Sequence, residues 1–222
     1  MQNRVDPCGN IIDTTARGAW LGNRGQLHDD TKSIQRLFKL KAWLTCVLKF
    51  KERQRTVMSP GLYTELFFLD EATAFAAGHR PCCECRRQDH YRFKMYWLNG
   101  NPDFRFTEKT SIRQIDSILH AERINQAGNK VTYLDNIDNL PGGTFIFINE
   151  QPYLISSNQL HRWTALGYNT KLSLPKNKIV TVLTPRSVVN TFSSGYIPQM
   201  GIEATVNNHN IPGNIQKPVG LQ

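Results

Sequence analysis

Hydrophobic and polar positions change their period three times along the chain. Residues 1–38 hold no sustained pattern and are punctuated by Gly18, Gly22 and Gly25, which predicts loops with short extended pieces. Residues 41–50, KAWLTCVLKF, alternate: Trp43, Thr45, Val47 and Lys49 share one face, and Leu44, Cys46, Leu48 and Phe50 share the other. A period of two predicts a strand, here with Cys46 facing inward. MSPG (58–61) makes a turn and LYTELFFL returns from it. Asp70 is placed to cap a short helix, EATAFAA, which Gly78 stops in the left-handed conformation. From Arg86 to about Leu98 the spacing of Tyr91, Met95 and Leu98 predicts a helix, with Arg92 and Lys94 beside the apolar stripe. A second helix is expected over 111–126, where Ile112, Ile115, Ile118, Leu119 and Ile124 make most of one face.

Beyond residue 128 the period returns to two. GTFIFINEQPYLISS predicts a hairpin, HRWTALGY a third extended piece and KIVTVLT a buried strand rich in β-branched residues. Thr184 and Pro185 suit the N-cap and first position of a last helix, PRSVVNTFSS, ended by Gly195; the NNHNIPGN segment predicts a loose tail.

Composition narrows the class. A 222-residue chain with 40% hydrophobic and 10% aromatic residues is globular, and no apolar run approaches the roughly 18 residues a membrane helix needs. The start, MQNRVDPCGN, lacks the apolar core of a secretory signal, so a cytoplasmic location is expected. A net charge of +9 favours a polyanionic partner, nucleic acid and DNA foremost.

The chemistry concentrates in AAGHRPCCECRR, residues 76–87. Five cysteines, an odd number, fit a closed disulfide framework poorly, and in a reducing compartment a C-x-x-C favours metal. Cys82 and Cys85 have the spacing that turns two sulfurs toward one tetrahedral zinc, with Pro81 restricting the entry to the turn. Cys46 is the candidate third ligand. The fourth is open: His28 leads, His90 and His79 follow, and Cys83 or a carboxylate completes the set. The fold expected is therefore α+β, a zinc-stapled N-terminal α/β half followed by a small antiparallel sheet and closing helix. Its boundaries are a zinc-binding module over 1–100, a connecting helix over 101–128, a β-rich subdomain over 129–200 and a flexible tail over 201–222.

DEATAFAAGHRPCCECRR (70–87) resembles the metal-binding module of the Ada-type alkylation-response proteins, where a short helix and Arg-Pro-Cys-x-x-Cys supply half of a zinc site. The resemblance implies Cys82 and Cys85 as ligands. In that family a Cys-x-x-x-Cys pair supplies the other half, and one of its members accepts a methyl group from a DNA phosphotriester. Here Cys46 stands alone, with Ala42 and Phe50 four residues to either side. QNRVDPCGNII, GNRGQLHDD, the Cys-bearing segment and VLTPRSVVNTFSSGY are also similar to a bacterial family with no assigned activity, which implies that both halves work as one unit.

Lys49, Lys51, Arg53 and Arg55 after the Cys46 strand, with Arg80, Arg86 and Arg87 around the cysteine turn, would converge on one nucleic-acid-binding face if one ion holds the two segments. Two enzymatic alternatives stay open: Cys46 as a zinc-activated alkyl acceptor, or a metal-assisted hydrolase with a base among Asp29, Asp30, Glu65, Asp70 and Glu71. A third reading is an interaction module in which zinc only replaces core.

Overall fold

The computed structural model describes residues 1–53 and 56–202. Its N-terminal elements are β1 (Gln2–Val5), β2 (Ile11–Asp13), β3 (Trp20–Asn23), β4 (Leu44–Cys46), β5 (Leu66–Phe68), α1 (Glu71–Ala76) and β6 (Arg80–Pro81). The six strands form one mixed sheet in the order β2-β1-β5-β3-β4-β6. Helices α2 (Arg87–Gly100) and α3 (Ile112–Arg123) follow. The remaining strands are β7 (Tyr133–Asn136), β8 (Phe145–Ile148), β9 (Gln151–Ser156), β10 (Gln159–Thr164), β11 (Gly167–Ser173) and β12 (Ile179–Val182), closed by helix α4 (Arg186–Ser193). They make a second six-stranded sheet, antiparallel at every pairing, in the order β11-β10-β9-β8-β12-β7.

The fold is thus mixed α+β, and the second sheet is larger than expected because β7 adds an edge and HRWTALGY splits into a hairpin. The first 38 residues carry three short strands among loops, as expected; at three or four residues each they are too short to display alternation. The expected tail falls almost wholly outside the described residues.

Helix α1 sits where the layers meet, and all six of its residues are buried. Ala74 and Ala77 pack toward the first sheet with Leu66 and Phe68, and Ala72 and Ala76 toward Phe145, Leu154 and Tyr168 of the second. Phe75 joins Phe93, Trp97, Leu119 and Phe192 of the other helices. Small residues let sheets approach one helix on several sides, which explains the alanine-rich sequence. Asp70 caps α1 as expected, accepting from the Thr73 amide at 2.8 Å, and also accepts from Tyr168 Oη at 2.6 Å. Gly78 has φ +83°, and a Cβ there would stand 2.3 Å from Arg123 Cδ, so both conformation and space demand glycine.

Helix α2 presents a different face from the one its periodicity suggested. Tyr91 and Met95 are exposed, whereas His90, Phe93 and Trp97 are buried. The face was chosen by partners distant in sequence, Phe75 and α4, which offer aromatic rings to Phe93 and Trp97. Helix α4 begins one residue later than expected, because the Thr184 hydroxyl accepts from the Phe145 amide at 2.9 Å.

Candidate metal centre

The parallel pairing of β4 with β6 assembles the site. Leu44 lies opposite Arg80 and Thr45 opposite Pro81, so Cys46 and Cys82 are each one step beyond a matched pair. The Cys82 amide donates to Thr45 O at 3.0 Å and holds that register. From Cys82 the chain turns into α2, with the Arg86 amide donating to Cys82 O at 3.2 Å, and the turn brings Cys85 back beneath Cys82. The sulfurs of Cys46, Cys82 and Cys85 all lie within 4.8 Å of one another. Two sulfurs each about 2.3 Å from a tetrahedral ion stand roughly 3.8 Å apart, so three such thiols could hold one metal ion with slight closure.

Backbone amides already face this sulfur cluster. The Glu84 amide donates to Cys82 Sγ at 3.4 Å, and the Val47 amide donates to Cys85. Cys82 accepts from both other thiols and is held well below an ordinary thiol, while hydrogen bonding to Cys82 and Cys85 keeps the proton on Cys46. Without an ion the cluster therefore favours one thiolate stabilised by two thiols; metal replaces the remaining protons.

The three sulfurs expected to meet do lie together, whereas the histidine expected beside them stands elsewhere. His28 does not join them: its Nδ1 lies 2.6 Å from Thr64 Oγ1 and its Nε2 3.2 Å from Ser59 O, so both ring nitrogens serve the loop that ends at β5. His79 is buried with Nε2 accepting from Arg24 Nε at 3.2 Å, and His90 faces Pro81 O at 3.3 Å. Cys83 is exposed and outside the group. Among the described residues no further His, Cys, Asp or Glu belongs to the cluster.

The fourth side opens into a pocket of about 490 Å³. Leu21, Leu44, Val47, Phe50 and Phe67 give it an apolar wall, and Lys49, Arg53, Glu65 and Glu84 supply charge. Arg53 pairs with Glu84 at 2.5 Å, both partly exposed. Of the acids considered as bases, only Glu65 lines this pocket, and its Oε2 accepts from the Met58 amide at 2.8 Å. Asp70 is committed to capping, Glu71 to Arg86, and Asp29 to the amides of Thr31 and Ser33. Asn23, Val57 and Tyr63 also line the pocket and carried no sequence signal.

The expected basic face is smaller than the sequence suggested. Arg80 is buried, donating to Asp116 at 2.6 and 2.7 Å. Arg86 is buried against Glu71 and lies 4.0 Å from the centroid of Trp20. Both arginines brace α1, β6 and α3 from within and offer nothing to a phosphate backbone. Lys49, Lys51, Arg53 and Arg87 are exposed; Arg55 lies outside the described residues.

The molecule is accordingly a mixed α+β protein with a three-thiol candidate metal centre at one end of an apolar pocket. No helix among the described residues is long and apolar enough to cross a membrane. Comparison with protein-family models, curated proteins and solved structures finds no match.

Proposed function

We propose that this is a zinc protein whose ion is held by Cys46, Cys82 and Cys85 and keeps its fourth position available to a ligand from the pocket. One observation carries the reading: three sulfurs from two distant segments converge beside a pocket, and among the described residues no fourth side chain of ligand type completes the set. Thiolate donors favour a soft or borderline ion such as zinc. Structural zinc sites close with four protein ligands, whereas three ligands and an open position characterise reactive ones. A zinc ion with three thiolates carries one net negative charge, and Lys49 lines the pocket beside it, while Arg53 is paired with Glu84.

The partner we assign is nucleic acid, met through Lys49, Lys51 and Arg53. The +9 charge supports it, and these three residues, with Arg87, are the exposed members of the basic set around the thiols. In a second reading, favoured by the pocket over a merely structural clasp, a zinc-bound thiolate is the alkyl acceptor. Its sulfur attacks a methyl carbon, the carbon–oxygen bond of a phosphotriester breaks, and the diester leaves as an anion.

Cobalt substitution tests the open position. The visible spectrum of the Co(II)-loaded protein is expected to shift on adding imidazole or a small thiol, because an exchangeable fourth ligand is replaced. A spectrum of four-thiolate or closed type that stays unchanged under excess ligand would overturn the reading, as would purified protein that retains no metal.

A further inference from the structure

A second cavity lies on the other face of the first sheet. Alternation sends Leu44 and Cys46 toward the thiol pocket and Trp43 to the opposite side, while Arg24, just past β3, turns the same way as Trp43. This cavity is about 70 Å³ and is lined by Arg24, Trp43, Arg123, Lys130, Cys8 and Gly9. A water needs about 10–15 Å³ of such space, so the cavity has room for several waters or one small oxyanion.

Its walls are unusually cationic. Arg24 and Arg123 are 1% and 2% exposed, and their guanidinium carbons lie 3.9 and 4.0 Å from the Trp43 ring centroid. Neither they nor Lys130 has a carboxylate within ion-pair distance among the described residues. Their partners are neutral: Arg24 donates to Gly9 O at 3.1 Å, Arg123 to Gly78 O at 2.8 Å, and Lys130 to Ala76 O. Asp6 is the acid acting on Arg24 and Lys130, and its carboxylate already accepts from the Asn10 amide and side chain. Asp116, which acts on Arg123, is bound by both arms of Arg80.

The cost of this arrangement is visible in the cations themselves. Burial pulls Arg24 down to about 9 and Lys130 down to about 7, and it lowers Arg123 as well; repulsion from Arg24 adds to it at Arg123, and repulsion from both arginines adds to it at Lys130. Two guanidinium nitrogens, Arg24 Nη2 and Arg123 Nε, are buried with no hydrogen-bond partner. Native folds rarely leave such donors empty, and a bound ion or water is the ordinary resolution. Arg24 Nη2 is the nearest atom to a Cβ built on Gly9, at 3.9 Å, which puts that donor at the cavity's glycine wall.

We propose that this cavity binds a small oxyanion of phosphate type, gripped by Arg24, Arg123 and Lys130. The planar forks of the arginines match tetrahedral oxygens, and the lysine adds a compact charge. The anion would supply the negative charge that the three cations lack. The space suits the oxyanion group itself and excludes a nucleoside, so the group comes either as a free ion or as the terminal phosphate of a longer molecule.

Titration calorimetry of the full protein with inorganic phosphate, in chloride buffer at constant ionic strength, tests this. Saturable one-to-one binding is expected, weakened roughly tenfold or more by Lys130→Met. Arg24→Lys, which keeps the charge but removes the fork, is expected to weaken it as well, and Lys178→Met on the exposed surface to leave it unchanged. Cys82→Ser, acting on the other face of the sheet, is expected to retain phosphate binding, so failure of the zinc reading does not decide this one. Competition by a 5′-phosphorylated oligonucleotide, and not by its 5′-hydroxyl counterpart, would assign the terminal-phosphate source; competition by neither would assign the free ion. Absence of saturable binding, or wild-type affinity in both Lys130→Met and Arg24→Lys, overturns the proposal.

Discussion

Arg86→Met separates fold from function most sharply, because the sequence assigns this arginine to the nucleic-acid face and the structure buries it. Its Nη2 donates to Glu71 Oε1, with both side chains 2% exposed, and also reaches Asp89 at 2.9 Å. Glu71 further accepts from Tyr196 Oη at 3.0 Å and the Gln199 amide at 2.9 Å, so one carboxylate ties α1 to the segment after α4. Methionine preserves most of the stem's packing but leaves that carboxylate buried without its cation. Breaking one side of a buried pair costs about 3–5 kcal/mol, and losing the cation–π contact with Trp20 adds about 1 kcal/mol. For a chain of this size each kcal/mol moves Tm by about 2–4 °C, which predicts a fall of roughly 8–24 °C. The double variant Arg86→Met/Glu71→Gln removes both charges while keeping an acceptor for Tyr196, and it should recover at least half of the loss. Urea titration of wild type and the two variants measures the stability loss, and nucleic-acid binding measured below the transition should keep its wild-type salt slope. A single variant within 1 kcal/mol of wild type, or one that folds normally and loses nucleic-acid affinity, refutes the reasoning.

Replacing Cys46, Cys82 or Cys85 singly by serine is expected to abolish stoichiometric zinc on elemental analysis, while Cys8→Ser and Cys83→Ser keep it; zinc in the Cys82→Ser protein at wild-type level contradicts the assignment. The triple variant Lys49→Gln/Lys51→Gln/Arg53→Gln should lower the slope of log affinity against log salt by about two to three for duplex DNA, with Arg80 excluded from the effect by its burial. Lys130 titrates at about 7 in the folded protein against 10.5 ordinarily, chiefly through burial. The unfolded chain therefore holds the proton between those values, and in phosphate-free buffer stability rises with pH from about 7 to 10.5. Lys130→Met should be more stable than wild type at pH 6–7, with the difference vanishing above pH 10.5; a pH-independent difference removes the electrostatic explanation.

Local chemistry was legible wherever it depended on neighbours in sequence. The Asp70 cap, the Gly78 stop and the C-x-x-C turn each involve a few adjacent residues, and each recurs in the structure; the strand expected over 41–50 shortens to Leu44–Cys46, and its inward face is that of Trp43 and Thr45, with Cys46 only half-buried on the other. What escaped depended on pairing across distance. Strand β6 is two residues long and has no period, yet its parallel register with β4 is what sets Cys82 beside Cys46. The fourth-ligand assignment failed for the same reason: His28 was judged by its place before the Cys46 strand, whereas Thr64 and Ser59, from the loop before β5, occupy its ring. The exposed side of α2 was misjudged because aromatic and apolar residues lie on both of its faces, and only Phe75 and α4 decide between them.

Charge was the most misleading signal, because much of it is internal. Arg24, Arg80, Arg86 and Arg123 are all buried, so part of the positive excess is inside the molecule and says nothing about its surface. Two of the four, Arg80 and Arg86, meet carboxylates and act as braces. Among the described residues Arg24 and Arg123 meet none, and a fold that keeps two such guanidinium groups beside a half-buried lysine bears a penalty that packing alone does not return. That asymmetry divides the arginines into structural and ligand-seeking sets. It also separates the two faces of the β3–β4 ribbon: three sulfur donors line one side, and nitrogen donors line the other.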